Sequence, residues 1–311
     1  MPLHPAAQQM IDAMVGSGLA WTPGTTPEQR RAAMNAVIVD GARIKPVHDV
    51  EDRVVLGPAG DIPVRVFRPS AGVLPVFVWL HGGGWVTGSI ESHDLLCRQL
   101  CDAVGAIVVS VGYRLAPETK FPGAVDDCVA AWEWIAAHAG ELGGDPQRIA
   151  LGGDSAGGNL AAGTTLLARD RGRPTPSLQL LVYPVTDHEF ERPSMIDNAT
   201  GYFLEADTMR WFYGHYARTA ADFDDWRMSP LRAPDLAGLP PAVVITAEYD
   251  PLRDQGEAYA ERLHAAGIPT ECRRVDGLFH GFFGMQKFLP PAQLPWDMAV
   301  GALRAAFGEE S

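Results

Sequence analysis

Short apolar runs alternate with helical segments along most of this chain, and that alternation limits the folds it can adopt. Strand-like runs are predicted at about residues 53–57, 62–68, 76–80, 106–111, 148–153, 178–183, 242–247 and 270–275. From the third run onward, helices are predicted near residues 91–104, 121–138, 156–171, 255–266 and 296–307. Such alternation produces a largely parallel sheet with helices on both faces. We therefore predict an α/β fold with a mostly parallel, eight-stranded sheet.

Two segments do not follow this alternation of strands and helices. Residues 1–45 hold two helical patterns, at 6–14 and 27–39, and residues 187–227 are rich in aromatic and acidic side chains. We expect both segments to form a helical cap, at 1–45 and 187–227, over a core made of residues 46–186 and 228–311. For the second segment, the alternative is a surface insertion that does not contact substrate.

The sequence Gly-Asp-Ser-Ala-Gly at residues 153–157 has the G-x-S-x-G form of a nucleophilic serine on a sharp turn. A strand-like run ends before it, and a small, apolar helical run begins at Ala156. The flanking glycines remove side chains that would clash at such a turn, and N–H groups at a helix start favour negative charge. Ser155 is the candidate nucleophile; for this motif alone, an ordinary tight turn is the alternative.

A second glycine motif, His-Gly-Gly-Gly-Trp at residues 81–85, directly follows the apolar run 76–80. In enzymes with a G-x-S-x-G serine, a glycine-rich loop after another strand supplies part of the oxyanion hole. We expect the N–H groups of Gly83, Gly84 and Ala156 to converge on a carbonyl oxygen. Trp85 is the candidate substrate-binding residue beside this loop, with core packing as its alternative role.

A serine nucleophile needs a base, and the base needs an acid that orients it. Among nine histidines, His280 follows a strand-like run and lies in a glycine- and phenylalanine-rich loop, so it is the candidate base. Asp250 stands just beyond the run 242–247 and is the candidate acid, because Ser, Asp and His then follow a known chain order for such a triad. Capping of the next helix is its alternative role. Asp254 and Glu248 are the reserve candidates.

These motifs, together with Tyr-Arg-Leu-Ala-Pro-Glu at 113–118, Tyr-Pro at 183–184, Asp-Pro-Leu-Arg-Asp at 250–254 and His-Gly-Phe at 280–282, resemble the hormone-sensitive-lipase-like family of α/β-hydrolases. The resemblance covers roughly residues 50–311. It implies an α/β-hydrolase fold with a helical cap and the activity of a bacterial family IV esterase. It also implies a triad of Ser155, Asp250 and His280.

Composition argues against several other classes of function. The formal net charge is −13, so no basic surface for nucleic acid is expected. None of the three lysines, Lys45, Lys120 and Lys287, follows a glycine, which excludes a P-loop. No run approaches the roughly 20 apolar residues that span a bilayer.

The cysteines bear on location and on metal binding. Four cysteines show no framework spacing, and no signal-like segment opens the sequence, so reduced thiols and a cytoplasmic location are expected. His93, Cys97 and Cys101 share one face of a predicted helix, and a metal site there is the alternative to buried core thiols.

The sequence thus predicts a serine carboxylesterase that hydrolyses short- to medium-chain acyl esters of small molecules through an acyl-enzyme, without a cofactor. An amidase or thioesterase would use the same triad. An interfacial lipase should carry an exposed apolar lid, which the acid-rich segment 187–227 does not suggest. A non-catalytic ligand receptor on this fold typically lacks a triad member, whereas all three candidates are present here. The sequence is compatible with a homo-oligomer.

Overall fold

A computed structural model of the 311-residue chain describes residues 2–308. The strands in this range are β1 (Asp49–Gly57), β2 (Gly60–Arg68), β3 (Leu74–Leu80), β4 (Ile107–Val111), β5 (Gly144–Asp154), β6 (Gln179–Val182), β7 (Ala242–Tyr249) and β8 (Thr270–Phe279). The helices are α1 (Pro5–Gly16), α2 (Pro27–Asn35), α3 (Gly41–Ile44), α4 (Asp94–Val104), α5 (Gly123–His138), α6 (Ala156–Asp170), α7 (Pro193–Asp197), α8 (Ala206–Tyr216), α9 (Arg253–Ala265) and α10 (Gln293–Ala306). Over these residues, no helix combines the length and the apolar character needed to cross a bilayer.

The strands form one sheet in the order β1-β2-β4-β3-β5-β6-β7-β8. β1 and β2 form an antiparallel hairpin, and β2 also pairs antiparallel with β4. All other neighbours in the sheet are parallel. This topology confirms the predicted α/β fold with a mostly parallel, eight-stranded sheet. In such sheets, ligands bind beyond the carboxyl ends of the strands.

Both faces of the sheet are buried, as strand β3 illustrates. Val76, Val78 and Leu80 pack into one apolar cluster with residues of α5 and α6, whereas Phe77 and Trp79 pack into a second cluster with residues of α4 and α10. Successive side chains of a strand point to opposite faces. A strand covered by helices on both sides therefore reads as the continuous apolar run seen in the sequence.

Several element ends differ from the sequence-based expectation, including those of α2 and β8. The helix predicted over residues 27–39 ends at Asn35, because the Val-Ile-Val run at 37–39 is β-branched and disfavours helix. Asp40 then starts α3 by accepting the N–H of Ala42 at 3.2 Å. Strand β8 continues past residue 275 to Phe279, which still pairs with Tyr249 of β7.

The three side chains considered as metal ligands have other environments. Cys97 and Cys101 are fully buried in the core, and burial raises the pKa of the Cys101 thiol to about 12. The Nε2 atom of His93 lies 3.2 Å from Asp154 Oδ1. Among residues 2–308, no group of three or more His, Cys, Asp and Glu side chains is arranged to hold a metal ion. The cysteines thus contribute to packing as small apolar side chains.

Candidate active site

Ser155 lies in the sharp turn between β5 and α6. Its backbone has φ 56° and ψ −118°, a left-handed conformation that non-glycine residues rarely adopt. A Cβ atom on Gly157 would overlap the carbonyl oxygen of Leu80, and one on Gly153 would overlap the backbone of Gly157. Only glycine fits at these two positions. The close packing of β3, β5 and α6 thus presents Ser155 at the carboxyl end of the sheet.

Ser155, His280 and Asp250 form a continuous hydrogen-bonded chain. The Nε2 atom of His280 lies 3.0 Å from Ser155 Oγ, and its Nδ1 atom lies 2.7 Å from Asp250 Oδ2. The other carboxylate oxygen of Asp250 accepts the N–H of Leu252 at 2.8 Å. Because Asp250 accepts the Nδ1 proton, the Nε2 lone pair faces the serine hydroxyl. The three predicted residues, which follow strands β5, β7 and β8, are brought together in the order that proton transfer requires.

Asp254 and Glu248, the reserve candidates for the catalytic acid, form hydrogen bonds with groups other than His280. Asp254 Oδ2 accepts the N–H of Ser194 at 2.7 Å, and the N–H of Asp254 donates to Ser194 Oγ at 3.1 Å. Glu248 Oε2 accepts the N–H of Gly277 at 2.7 Å. The Asp254 bonds tie α9 to α7, which is a structural role. Asp250, not either reserve, is the carboxylate bonded to His280.

The predicted oxyanion donors lie on two different segments, the glycine loop and the start of α6. Gly83 and Gly84 have φ values of 118° and 60°, and Ala156 is the first residue of α6. Among residues 2–308, the amides of these three residues donate no hydrogen bond. The N-terminus of α6 adds a partial positive charge. These amides are therefore available to a substrate oxygen.

The surroundings of Trp85, the candidate substrate-binding residue, favour its alternative role in core packing. Its side chain is fully buried and stacks on Tyr216 of α8 at 4.5 Å with an interplanar angle of 7°. Phe212, also on α8, instead packs directly against Gly84, where its ring occupies the space that a Cβ atom would need. The sequence analysis noted that residues 187–227 are rich in aromatic side chains but did not single out Phe212. Trp85 thus takes its alternative role in core packing.

Tyr183 is a second residue that sequence reasoning left without a role. Its ring centre lies 4.5 Å from that of His280 with an interplanar angle of 52°. Its backbone φ is 34°, a value that is unusual for a tyrosine and that coincides with the end of β6. Burial raises the pKa of the phenol well above its usual value, so the side chain stays neutral. Tyr183 therefore packs one side of the imidazole without competing for its proton.

Buried polar groups form hydrogen bonds with the backbone of the glycine loop, residues 81–85. His81 donates its Nδ1 proton to the carbonyl of Gly82 at 2.8 Å, and the hydroxyl of Tyr113 donates to the carbonyl of His81 at 2.6 Å. The N–H of Gly82 donates to Asp154 Oδ1 at 2.9 Å. These bonds give the loop a single orientation ahead of Gly83. His81 thus has a structural role in this loop.

We expect the stability of the protein to fall in mild acid partly through His81. Burial, together with the nearby charge of His93, lowers the pKa of His81 from 6.5 to about 3. The unfolded chain binds this proton below pH 6.5, whereas the folded chain does not until about pH 3. The contribution of neutral His81 to the free energy of unfolding is thus fully present above pH 6.5. It decreases by about 1.4 kcal/mol per pH unit as the pH falls from 6.5 towards 3.

Chemical denaturation of the wild type and of His81→Asn at several pH values through this window measures that contribution. The variant should be less stable at neutral pH, with a pH slope shallower by nearly one proton. Parallel slopes for the two proteins would mean that His81 does not carry the acid sensitivity.

A profile for the alpha/beta hydrolase fold matches residues 77–284, two thirds of the chain. The chain belongs to the alpha/beta hydrolase family. Within it, the chain is a member of the hormone-sensitive-lipase-like group, as its motifs predicted. The matched segment contains the glycine loop, Ser155, Asp250 and His280.

Several members of this family are closely similar to the chain. An ethyl acetate hydrolase of Pseudomonas putida is 45% identical over 230 residues, which are 73% of this chain and 72% of that protein. An arylesterase of Saccharolobus solfataricus is 47% identical over 225 residues, 72% of each protein. The solved structure of an esterase from Pyrobaculum calidifontis has a TM-score of 0.93 at 40% identity, with 98% of this chain and 99% of that chain covered.

Proposed function

We propose that the protein is a serine carboxylesterase with Ser155 as nucleophile, His280 as base and Asp250 as the orienting acid. The observation that carries this proposal is the hydrogen-bonded chain from Asp250 through His280 to Ser155, at 2.7 and 3.0 Å. Ester hydrolysis is the activity named for the ethyl acetate hydrolase and the arylesterase among its relatives. An intact chain of this kind disfavours a non-catalytic receptor.

In the first half-reaction, Ser155 Oγ attacks the ester carbonyl carbon while His280 Nε2 takes the hydroxyl proton. Asp250 stabilises the resulting imidazolium through Nδ1. The carbonyl oxygen becomes an oxyanion and receives hydrogen bonds from the N–H groups of the two loop glycines and Ala156. The C–O bond to the alcohol then breaks, and His280 returns the proton to the leaving alkoxide. The products are an alcohol and an acyl-enzyme on Ser155.

In the second half-reaction, a water molecule takes the place of the alcohol. His280 removes a proton from the water, whose oxygen attacks the acyl carbon and regenerates the oxyanion. Collapse of this intermediate breaks the bond to Ser155 Oγ, which regains its proton from His280. The carboxylic acid is released, and the proposed cycle uses no metal or organic cofactor.

We also propose the division into a cap and a core. The cap segments are residues 1–45 and 187–227, and the core segments are residues 46–186 and 228–311; residue 1 and residues 309–311 lie outside the described range. In support, Arg31 of α2 donates to the carbonyl oxygen of Val86 at 2.8 Å, just after the glycine loop. From the second cap segment, Asn198 donates to the carbonyl oxygen of Asp250 at 3.2 Å, and Phe212 packs on Gly84.

We expect short- to medium-chain esters to be the best substrates. The site is crowded, since Ser155, His280 and Phe212 are only 8%, 6% and 6% exposed. The ratio kcat/KM should therefore peak at short to medium chains in a series of p-nitrophenyl esters from acetate to palmitate. Rates should follow simple saturation, because the acid-rich cap segment does not suggest an exposed apolar lid.

Two variants sharpen this test. Phe212→Ala should move the optimum towards longer chains, whereas Phe288→Ala, at a largely exposed position, should leave it unchanged. A wild-type maximum at palmitate, or a steep rise where the substrate forms an emulsion, would assign the protein to the lipases instead. An ester, a thioester and an amide of the same acyl group, compared by kcat/KM, would separate a carboxylesterase from a thioesterase or an amidase.

Three further proposals rest on composition. The net charge of −13 supports small-molecule esters rather than nucleic acid as partners. The four cysteines, which lack a framework spacing, support a cytoplasmic location. A homo-oligomer is compatible with the sequence, and sedimentation velocity of the purified protein tests it directly.

A further inference from the structure

His93 is a half-buried histidine that the proposed reaction does not use. It immediately precedes α4, and its Nε2 atom lies 3.2 Å from Asp154 Oδ1. The side chains of His93 and Asp154 are only 14% and 13% exposed. Asp154 is the residue just before Ser155. A histidine and a carboxylate therefore form a shielded pair directly behind the nucleophile.

Both ring nitrogens of His93 lie within hydrogen-bond distance of a polar side chain. Ser92 Oγ accepts the N–H of Ser89 at 2.9 Å and lies 2.9 Å from His93 Nδ1. Nε2 faces the Asp154 carboxylate, which can only accept a hydrogen bond when it is ionised, so Nε2 is the donor of this contact. The His93 ring is thus held between Ser92 and Asp154.

Asp154 connects this pair to the glycine loop. Its Oδ1 atom accepts the N–H of Gly82 at 2.9 Å as well as the Nε2 proton of His93. A Cβ atom on Gly82 would overlap the Asp154 carboxylate, so the contact is as close as the backbone allows. Burial raises the pKa of Asp154, but the interactions with His93, His81 and Gly82 outweigh it and lower the pKa overall. The carboxylate is therefore charged, and it joins the loop to the turn that carries Ser155.

A charged carboxylate at this place has an electrostatic consequence. Gly82 precedes Gly83, one of the amides proposed to bind the oxyanion, so the negative charge of Asp154 lies close to the charge that develops in the transition state. Like charges in a poorly solvated site repel strongly. The hydrogen bond from His93 Nε2 offsets part of the negative charge of Asp154 and holds the carboxylate in the orientation that fits Gly82.

We propose that His93 is a positioning residue for the oxyanion hole, which it holds in place through Asp154. This inference rests on the proposed function. His93 touches no reacting atom. Its effect reaches the oxyanion through Asp154 and the Gly82 amide, so it should act on the transition state more than on the bound substrate.

The experiment compares three replacements of His93 in the full-length enzyme. In His93→Gln, the side-chain amide replaces the Nε2 donor and can reach Asp154. In His93→Asn, the shorter amide replaces only the Nδ1 side, and His93→Phe keeps the ring without a donor. The exposed His264→Gln is the control for loss of a histidine elsewhere.

We expect kcat for a p-nitrophenyl ester to fall about 10- to 100-fold in the Asn and Phe variants, because losing one oxyanion donor outright costs about 10²- to 10³-fold. KM should stay within about twofold. His93→Gln should recover at least about tenfold in kcat over His93→Asn. Affinity for an alkyl trifluoromethyl ketone, which forms a hemiketal oxyanion with serine, should fall in proportion to kcat.

A double-mutant cycle with Asp154→Asn tests the route of the effect. If His93 acts through Asp154, adding His93→Asn to Asp154→Asn should lower kcat much less than it does in the wild type. Wild-type kcat in the Asn and Phe variants, or an equal loss in the Gln variant, would overturn the positioning role. Ser155→Ala is assayed in parallel: substantial turnover there would reject the proposed function itself, whatever the His93 variants do.

Discussion

Replacing Ser155 or His280 by alanine should each lower kcat by about 10⁴- to 10⁶-fold, and the double variant should be only slightly slower than either single variant. The reason is that the serine, the imidazole and the carboxylate act as one unit, so removal of one member leaves little for the others to contribute. Either replacement removes the 3.0 Å contact between His280 Nε2 and Ser155 Oγ. Steady-state hydrolysis of a short p-nitrophenyl ester measures the loss.

Two matched controls accompany these variants. Ser70→Ala and His264→Ala remove the same side chains at exposed positions and should keep wild-type kcat. Near-wild-type melting temperatures would show that the active-site variants remain folded. If the double variant were slower than both single variants by a further large factor, Ser155 and His280 would be contributing independently, and the roles assigned to them would be wrong.

Replacing Asp250 by asparagine should lower kcat by about 10⁴-fold. The asparagine amide can donate to His280 Nδ1, which would favour the tautomer whose Nε2 carries the proton and faces Ser155 without a lone pair. Asp250 is fully buried, and its Oδ2 atom lies 2.7 Å from His280 Nδ1, so the site offers no other orientation for the ring. The fall should appear in kcat with little change in the melting temperature, because the replacement keeps the shape of the side chain.

Asp254→Asn is the matched control, since it makes the same chemical change four residues away. Asp254 accepts the N–H of Ser194 at 2.7 Å, which ties α9 to α7, and it bonds to Arg253 of its own helix at 2.8 Å. This variant should mainly lower the melting temperature and retain kcat within about tenfold. Should Asp254→Asn prove the slower enzyme of the two, the acid of the triad would have to be reassigned to Asp254.

Local chemistry in the sequence determined much of the fold. Each parallel strand is covered on both faces and reads as an apolar run, as Val76 to Leu80 does, and this pattern does not depend on distant contacts. The turn around Ser155 could also be predicted from the sequence, because Gly153 and Gly157 occupy positions where any side chain would overlap the backbone. The element ends were less predictable. They depend on competition between neighbouring residues, as where Asp40 starts a new helix after Asn35.

The three proposed triad residues could be selected from sequence because each follows a strand, and the carboxyl ends of parallel strands meet at one edge of the sheet. Choosing Asp250 over Asp254 needed more than this. Both stand shortly after β7, and only the folded backbone directs the carboxylate of Asp250 to His280 and that of Asp254 to Ser194.

Only the tertiary structure decided which side chains surround the glycine loop. Trp85 and Phe212 are far apart in sequence, and the way α8 packs buries the first against Tyr216 and sets the second on Gly84. The contact of His93 with Asp154 likewise joins residues from two separate segments, and the local sequence of neither segment predicts it. The approximate positions of the strands and the tight turns follow from nearby residues, so the sequence alone determined them. Contacts between separate elements follow from the packing of the whole chain, and no local pattern records that packing.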